Sequence, residues 1–154
     1  NQVQGVFDET APMSLNKDLP VYDRTKAKSA LAVMDAVKTG LDAVVVCPTG
    51  VIGPFDFKPS PMGRMLKKVA TAKLPVAING GFNWVDVRDV AQGALDAAQK
   101  GQKGEIYILG GQWAHLKEVF GITASEAKVH APLWYPPIGL VMPGALFMDA
   151  LCKI

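Results

Sequence analysis

The sequence predicts an α/β fold, helices alternating with the strands of a mainly parallel sheet. Three observations carry this. Residues 42–47 open on Asp42 and continue as an unbroken valine-rich apolar run closed by Pro48, the pattern of a strand buried on both faces. That run lies between two segments, 21–39 and 61–70, whose apolar residues recur at helical spacing. Further short apolar runs then flank a third helical pattern over 88–100.

The bulk numbers agree with a folded domain. The chain has 154 residues, 49% hydrophobic and 19% charged, which excludes a disordered tail. Fifteen glycines and eleven prolines follow no repeat, so collagen-like and low-complexity readings fail. The net charge is +2 and the basic residues are scattered, so no nucleic-acid footprint is visible.

Residues 1–20 are polar and irregular. Asp18 is placed as an N-cap, with Pro20 in the first turn of the helix that follows. Its apolar positions are Ala27, Ala30, Leu31, Met34 and Val37, and Gly40 fits the left-handed position after its end. The strand 42–47 comes next, followed by a Gly/Pro-rich loop, 49–59. Ser60 as N-cap and Pro61 at the first helical position start the second helix. Met62, Met65, Leu66, Val69 and Ala70 are its apolar face.

Residues 75–79 read as a short strand, Gly80 and Gly81 as a turn, and 83–87 as another strand. Asp86 and Asp89 resemble a capping box for the helix 88–100, with Val90, Ala91, Ala94, Leu95 and Ala98 facing the core and Gly101 closing it. A strand at 105–109, a Gly110–Gly111 turn and a short helix at 115–120 complete the pattern, with Gly121 interrupting the helical spacing. Pro132 to Cys152 is the most apolar stretch, but its prolines and Asp149 favour a loop and a buried helix over a membrane span, which needs roughly 20 apolar residues.

Cys47 and Cys152 form no Cys-x-x-Cys pair, and His115 and His130 lack ligand spacing. Two reduced thiols in a cytoplasmic protein and no metal site are expected.

The chemistry is concentrated in Tyr22-Asp-Arg-Thr-Lys26. Residues four apart on a helix share one face, one turn apart. A tyrosine hydroxyl ordinarily ionises near about pH 10, and a neighbouring ammonium favours the phenolate. Such a pair can pass a proton to or from a substrate oxygen, and the ammonium's three donors can also hold ribose hydroxyls.

Three further segments follow in order: Pro48-Thr-Gly-Val-Ile-Gly-Pro54, Phe82-Asn-Trp-Val-Asp-Val-Arg-Asp-Val-Ala91 and Gly104-Glu-Ile-Tyr-Ile-Leu-Gly-Gly111. With Tyr22 and Lys26, this series resembles the second half of an extended or atypical short-chain dehydrogenase/reductase, of the NAD-dependent epimerase/dehydratase kind and closest to dihydroflavonol-reductase-like enzymes. The likeness runs from Tyr22 to about Gly111.

The resemblance implies the latter part of a Rossmann-type parallel sheet with flanking helices, plus part of a small C-terminal substrate lobe. Residues 1–110 would be the second half of the dinucleotide-binding domain with interleaved substrate-lobe segments, and 111–154 a partial substrate lobe. Tyr22 would be the catalytic acid/base. Lys26 would activate it and, with it, hold the nicotinamide ribose of NAD or NADP. Pro48, Thr49 and Val51 would contact the nicotinamide. The segment from Phe55 to Arg64 would border the substrate; Arg64 pairs with an anionic group or is a solvated helix residue. Phe82 and Trp84 either line the pocket or fill the core beside their strand.

Departures from the family pattern matter too. No Gly-x-Gly-x-x-Gly stands in a strand-turn-helix setting, and Ser14, the only serine before Tyr22, lies too close to it for the family's catalytic serine. The chain is therefore expected to be the latter part of a protein about twice as long.

The leading expectation is a hydride-transferring oxidoreductase acting on a carbonyl or alcohol carbon. The alternatives are a nucleotide-sugar epimerase/dehydratase, a non-catalytic dinucleotide-binding module, and a small α/β domain with a chance Tyr-x-x-x-Lys, in which Tyr22 faces solvent and Lys26 is remote. A second apolar strip on the Tyr22 helix, including Val33 and Ala36, is expected to pack in a homodimer. Neither nucleic acid nor membrane is an expected partner.

Overall fold

The computed structural model describes residues 8–137. In chain order its elements are α1 (Val21–Lys38), β1 (Val45–Pro48), β2 (Gly50–Ile52), α2 (Pro61–Ala70), β3 (Gly81–Asp86), α3 (Val87–Lys100), β4 (Ile106–Leu109), β5 (Gln112–His115) and α4 (Leu116–Glu126). The chain divides into two compact units. One comprises Asn1–Thr49 and Val87–Gly110, the other Gly50–Asp86 and Gly111–Ile154.

The first unit holds α1, α3 and the parallel pair β1–β4, in register from Val45 opposite Ile106 to Pro48 opposite Leu109. β1 is shorter than the apolar run, and its residues are half-buried or exposed rather than buried on both faces. Among the described residues its only ladder partner is β4, and α3 packs on the pair. Helix α3 meets the sheet through small residues. A Cβ on Gly93 would lie 3.0 Å from the Leu109 side chain, and Ala97 is the buried residue of the helix. The expected core positions Ala91, Leu95 and Ala98 are exposed. Alanines are spread around this helix, so apolar spacing alone does not single out the buried strip.

Helix α1 starts one residue after Pro20, which occupies the N-cap without a side-chain bond, so Asp18 is not the cap. Asn16 organises the preceding turn: its Oδ1 accepts from the Asp18 amide at 3.1 Å, and its carbonyl from the Leu19 amide at 3.1 Å. The helix ends as the sequence indicates. Gly40 takes φ +120°, its amide donates to the Val37 carbonyl and the Leu41 amide to the Ala36 carbonyl, which is a Schellman motif. No residue of α1 is fully buried.

The second unit is built on the order β2–β3–β5, with β2–β3 parallel and β3–β5 antiparallel. Two of its strands depart from expectation. β2 falls inside what reads as a loop. A Cβ on Gly50 would approach the Asn83 carbonyl to 3.0 Å and the Phe82 Cβ to 3.3 Å, so glycine lets the two strands close. Residues 75–79 make a single parallel bridge, Val76 to Trp134, rather than a named strand. Ala77 and Asn79 do donate to the carbonyls of Trp134 and Pro136. Prolines at 75, 132, 136 and 137 remove the donors that a longer ladder needs. Gly81 opens β3 instead of belonging to the turn, in register with His115 of β5, and the Trp113 ring lies where its Cβ would be.

Helix α2 has the expected cap: Ser60 Oγ accepts from the Gly63 amide at 2.9 Å, with Pro61 at the first position. Helix α4 is longer than expected and runs straight through Gly121. Leu116, Phe120 and Ala124 lie on one stripe of it and are buried with Val69, Ala77 and Trp84. This cluster is the core of the unit, formed where α2 packs on α4. Both helices end in Schellman motifs on non-glycine residues, Ala72 at φ 53° and Lys128 at φ 56°. The Lys73 amide donates to Lys68, and the Val129 amide to Ala124.

Candidate active site

Tyr22 and Lys26 lie in the first turn and a half of α1. The Lys26 ammonium sits 5.7 Å from the centroid of the Tyr22 ring, within cation–π range. The ring is 70% exposed, so its hydroxyl is open to an incoming molecule. The chance-motif reading places Lys26 remote from the ring. Here the two are adjacent, although Tyr22 does face solvent among the described residues.

Pro48 ends β1 and Thr49 follows it. The Thr49 amide donates to the Leu109 carbonyl at 3.1 Å, and its Oγ1 donates weakly to the same oxygen at 3.4 Å. This pins the loop to the carboxyl ends of two parallel strands, the edge where open α/β sheets bind ligands. These four residues belong to the first unit.

Cys47 precedes this corner. Burial pushes its thiol up, and the Glu9 carboxylate adds to the shift. Glu9 is held in place by the Ile108 amide, which donates to its Oε1 at 3.0 Å. The sign follows directly. A raised thiol carries less thiolate at a given pH, so Cys47 should alkylate more slowly than a free cysteine at pH 8 and gain rate only at higher pH. Glu9→Gln should move its rate profile towards lower pH, read by iodoacetamide labelling and peptide mass mapping.

The remaining candidates belong to the second unit. Val51 is the central residue of β2. Phe82 and Trp84 are two apart on β3, with rings edge-to-face at 5.3 Å. Trp84 is buried and its Nε1 donates to the Ala114 carbonyl at 3.0 Å, so its ring fills the core. Phe82 is half-exposed. The Arg64 guanidinium donates to the Pro59 carbonyl at 2.6 Å, bracing the start of α2.

Two neighbours of Phe55 lie inside the 55–64 segment that the resemblance puts at the substrate border, without an individual role there. Asp56 accepts from the Ser60 amide at 3.1 and 2.9 Å and from its hydroxyl at 3.0 Å. Phe57 is 89% exposed, its ring 6.0 Å from that of Phe55. The spacing Asp56-x-x-x-Ser60 ahead of a helix was the available signal.

A family model described as "NAD dependent epimerase/dehydratase family" matches residues 2–110. The chain belongs to this family. A putative dihydroflavonol 4-reductase of Synechocystis sp. is 36% identical over 140 residues, covering 84% of this chain and 40% of that protein. The crystal structure of gox2253 is 31% identical with TM-score 0.87, over 99% of this chain and 47% of that one. A nucleoside-diphosphate-sugar epimerase from Pseudomonas aeruginosa, 22% identical, shares the fold with TM-score 0.83, over 93% of this chain and 47% of that one. The chain thus spans less than half the length of these relatives. The α/β reading, with a parallel sheet and flanking helices of Rossmann type, holds.

Proposed function

We propose that the protein containing this chain is a nicotinamide-dependent reductase or dehydrogenase. The observation that carries the reading is the Tyr22–Lys26 pair, one turn apart with 5.7 Å between ammonium and ring centroid, in a chain of an NAD-dependent family. Tyr22 gives a proton to the oxygen of a substrate carbonyl during reduction and takes it back during oxidation. Lys26 stabilises the phenolate by its charge and offers donors to the nicotinamide ribose.

The donor set suits the nicotinamide end of NAD or NADP: an exposed hydroxyl, an ammonium with three donors, and the pinned Pro48–Thr49 corner, with Val51 as a further contact. The cofactor supplies or accepts the hydride when bound. Phe55, Phe82 and Arg64 border the substrate. Trp84 supports Phe82 from the core side. Residues 1–110 then serve as the second half of the dinucleotide-binding domain, with substrate-lobe segments interleaved, and 111–154 as part of the substrate lobe.

The second reading, a nucleotide-sugar epimerase or dehydratase with the same first hydride step, is favoured by the family description and by the epimerase neighbour. Full-length protein incubated with NADPH and a panel of aldehydes and ketones should oxidise the cofactor and yield alcohols. Isomerised or dehydrated nucleotide sugars without net cofactor consumption would replace this reading by the second.

The half-buried apolar strip of α1 with Val33 and Ala36 is proposed to pack in a homodimer, which light scattering measures. No helix among the described residues is long and apolar enough to cross a membrane. A cytoplasmic setting fits the free Cys47 thiol.

A further inference from the structure

Asn79 is the chain's only asparagine followed by glycine. Asparagine is chemically labile where the next main-chain nitrogen can reach its side-chain carbonyl, and glycine offers that nitrogen with no Cβ in the way. The other described asparagines, Asn16 and Asn83, precede Lys17 and Trp84. Their side chains are also engaged. Asn16 Oδ1 accepts from the Asp18 amide at 3.1 Å, and Asn83 Oδ1 from the Gly111 amide at 2.8 Å.

Asn79 differs in each respect. The chain bends there, the residue is exposed, and its side chain makes no hydrogen bond among the described residues. The Gly80 amide is likewise without a partner among them, and a Cβ on Gly80 would meet nothing within 4 Å. Nucleophile and carbonyl are adjacent, unheld and open to water.

We infer that Asn79-Gly80 is a self-modification site that rearranges to isoaspartate. The Gly80 nitrogen attacks Asn79 Cγ. The N–Cγ bond forms, the bond from Cγ to the side-chain nitrogen breaks, and ammonia leaves with the Gly80 amide proton. Water then opens the cyclic imide. Breaking the N–Cγ bond gives aspartate. Breaking the bond from the Gly80 nitrogen to the Asn79 main-chain carbonyl carbon gives isoaspartate, whose main chain runs through Cγ. No electrons are transferred, and water is the only co-reactant.

The site bears on the fold because a bond anchors it on either side. The Asn79 amide donates to the Pro136 carbonyl at 3.2 Å, and the Gly80 carbonyl accepts from the Leu116 amide at 2.8 Å. Leu116 opens α4 and is buried, so its amide, a first-turn donor with no helical partner, depends on that carbonyl. Isoaspartate adds a carbon to the main chain between the two bonds, so both cannot keep their lengths. Conversion loosens the start of α4 and the buried stripe that the helix carries.

The test ages full-length protein in mildly alkaline buffer and follows each asparagine by peptide mass mapping. Isoaspartate is counted by methyl transfer from S-adenosylmethionine through a protein isoaspartyl methyltransferase. Conversion at Asn79 should run about tenfold faster than at Asn16 or Asn83, and Gly80→Ala should slow it about tenfold. That variant suits the fold, because Gly80 lies outside the left-handed region and the added Cβ finds open space. The thermal midpoint of aged parent should fall below that of fresh parent. Aged Gly80→Ala should hold it, as should fresh Asn79→Asp, which carries the new charge without lengthening the chain. Conversion at Asn79 no faster than at Asn16 and Asn83 would overturn the site. Isoaspartate at Asn79 with an unchanged midpoint would overturn its structural consequence.

Discussion

Tyr22→Phe in the full-length protein is expected to lower kcat by about 10²- to 10⁴-fold, the usual contribution of a positioned acid/base group. The change removes one oxygen. The ring stays, so the contact with the Lys26 ammonium at 5.7 Å stays too. Because the ring is 70% exposed, the hydroxyl contributes little to folding, and the thermal midpoint should be unaltered. Lys26 still offers its donors to the cofactor, so NAD(P) binding measured by fluorescence titration should change less than threefold. Loss of turnover with retained binding separates a proton-transfer role from a binding role. Turnover within tenfold of the parent would show that the proton travels by another group, and the Tyr22–Lys26 pair would be a surface contact.

The features legible in the sequence are those where one residue type does one job. Ser60 followed by Pro61 announced a helix start, and Gly40 a left-handed helix end, because both are the residues that these positions favour. The ends of α2 and α4 were not legible. The left-handed positions there hold Ala72 and Lys128, whose identity carries no such signal, so tertiary packing overrides a local cost of about 1–2 kcal/mol. Short strands were the other gap. β2 has three residues and β5 four, too few for an apolar period to show, and their existence depends on β3 lying between them.

The site divides along the same line. Tyr22 and Lys26 are four apart on one helix, so sequence spacing alone places them together. Trp84 shows the limit of that reasoning. An aromatic residue on a strand reads equally as pocket or core, and only its burial and its bond to Ala114 decide for core. The Asp56–Ser60 bonds had a signal in their spacing ahead of a helix, but the positive φ at Phe55 did not, because phenylalanine does not advertise that conformation.

Phe120→Ala and Gly121→Ala are expected to move stability in opposite directions, although the residues are adjacent on α4. Phe120 is fully buried among Val69, Leu116, Ala124 and Trp84. Truncating a ring at such a site removes its transfer free energy and leaves a cavity, together about 3–5 kcal/mol. The thermal midpoint of the protein should fall by roughly 10 °C. Gly121 lies one position on, where an added Cβ meets nothing within 4 Å. Alanine there keeps the helical backbone and removes the entropic penalty of a mid-helix glycine, so the protein should gain about 0.5–1 kcal/mol. Denaturant titration of both variants reads the two signs. A drop below 1 kcal/mol for Phe120→Ala would mean that α4 does not anchor the core it shares with α2. A loss on Gly121→Ala would mean that another surface closes on that side of the helix and needs the space the glycine leaves.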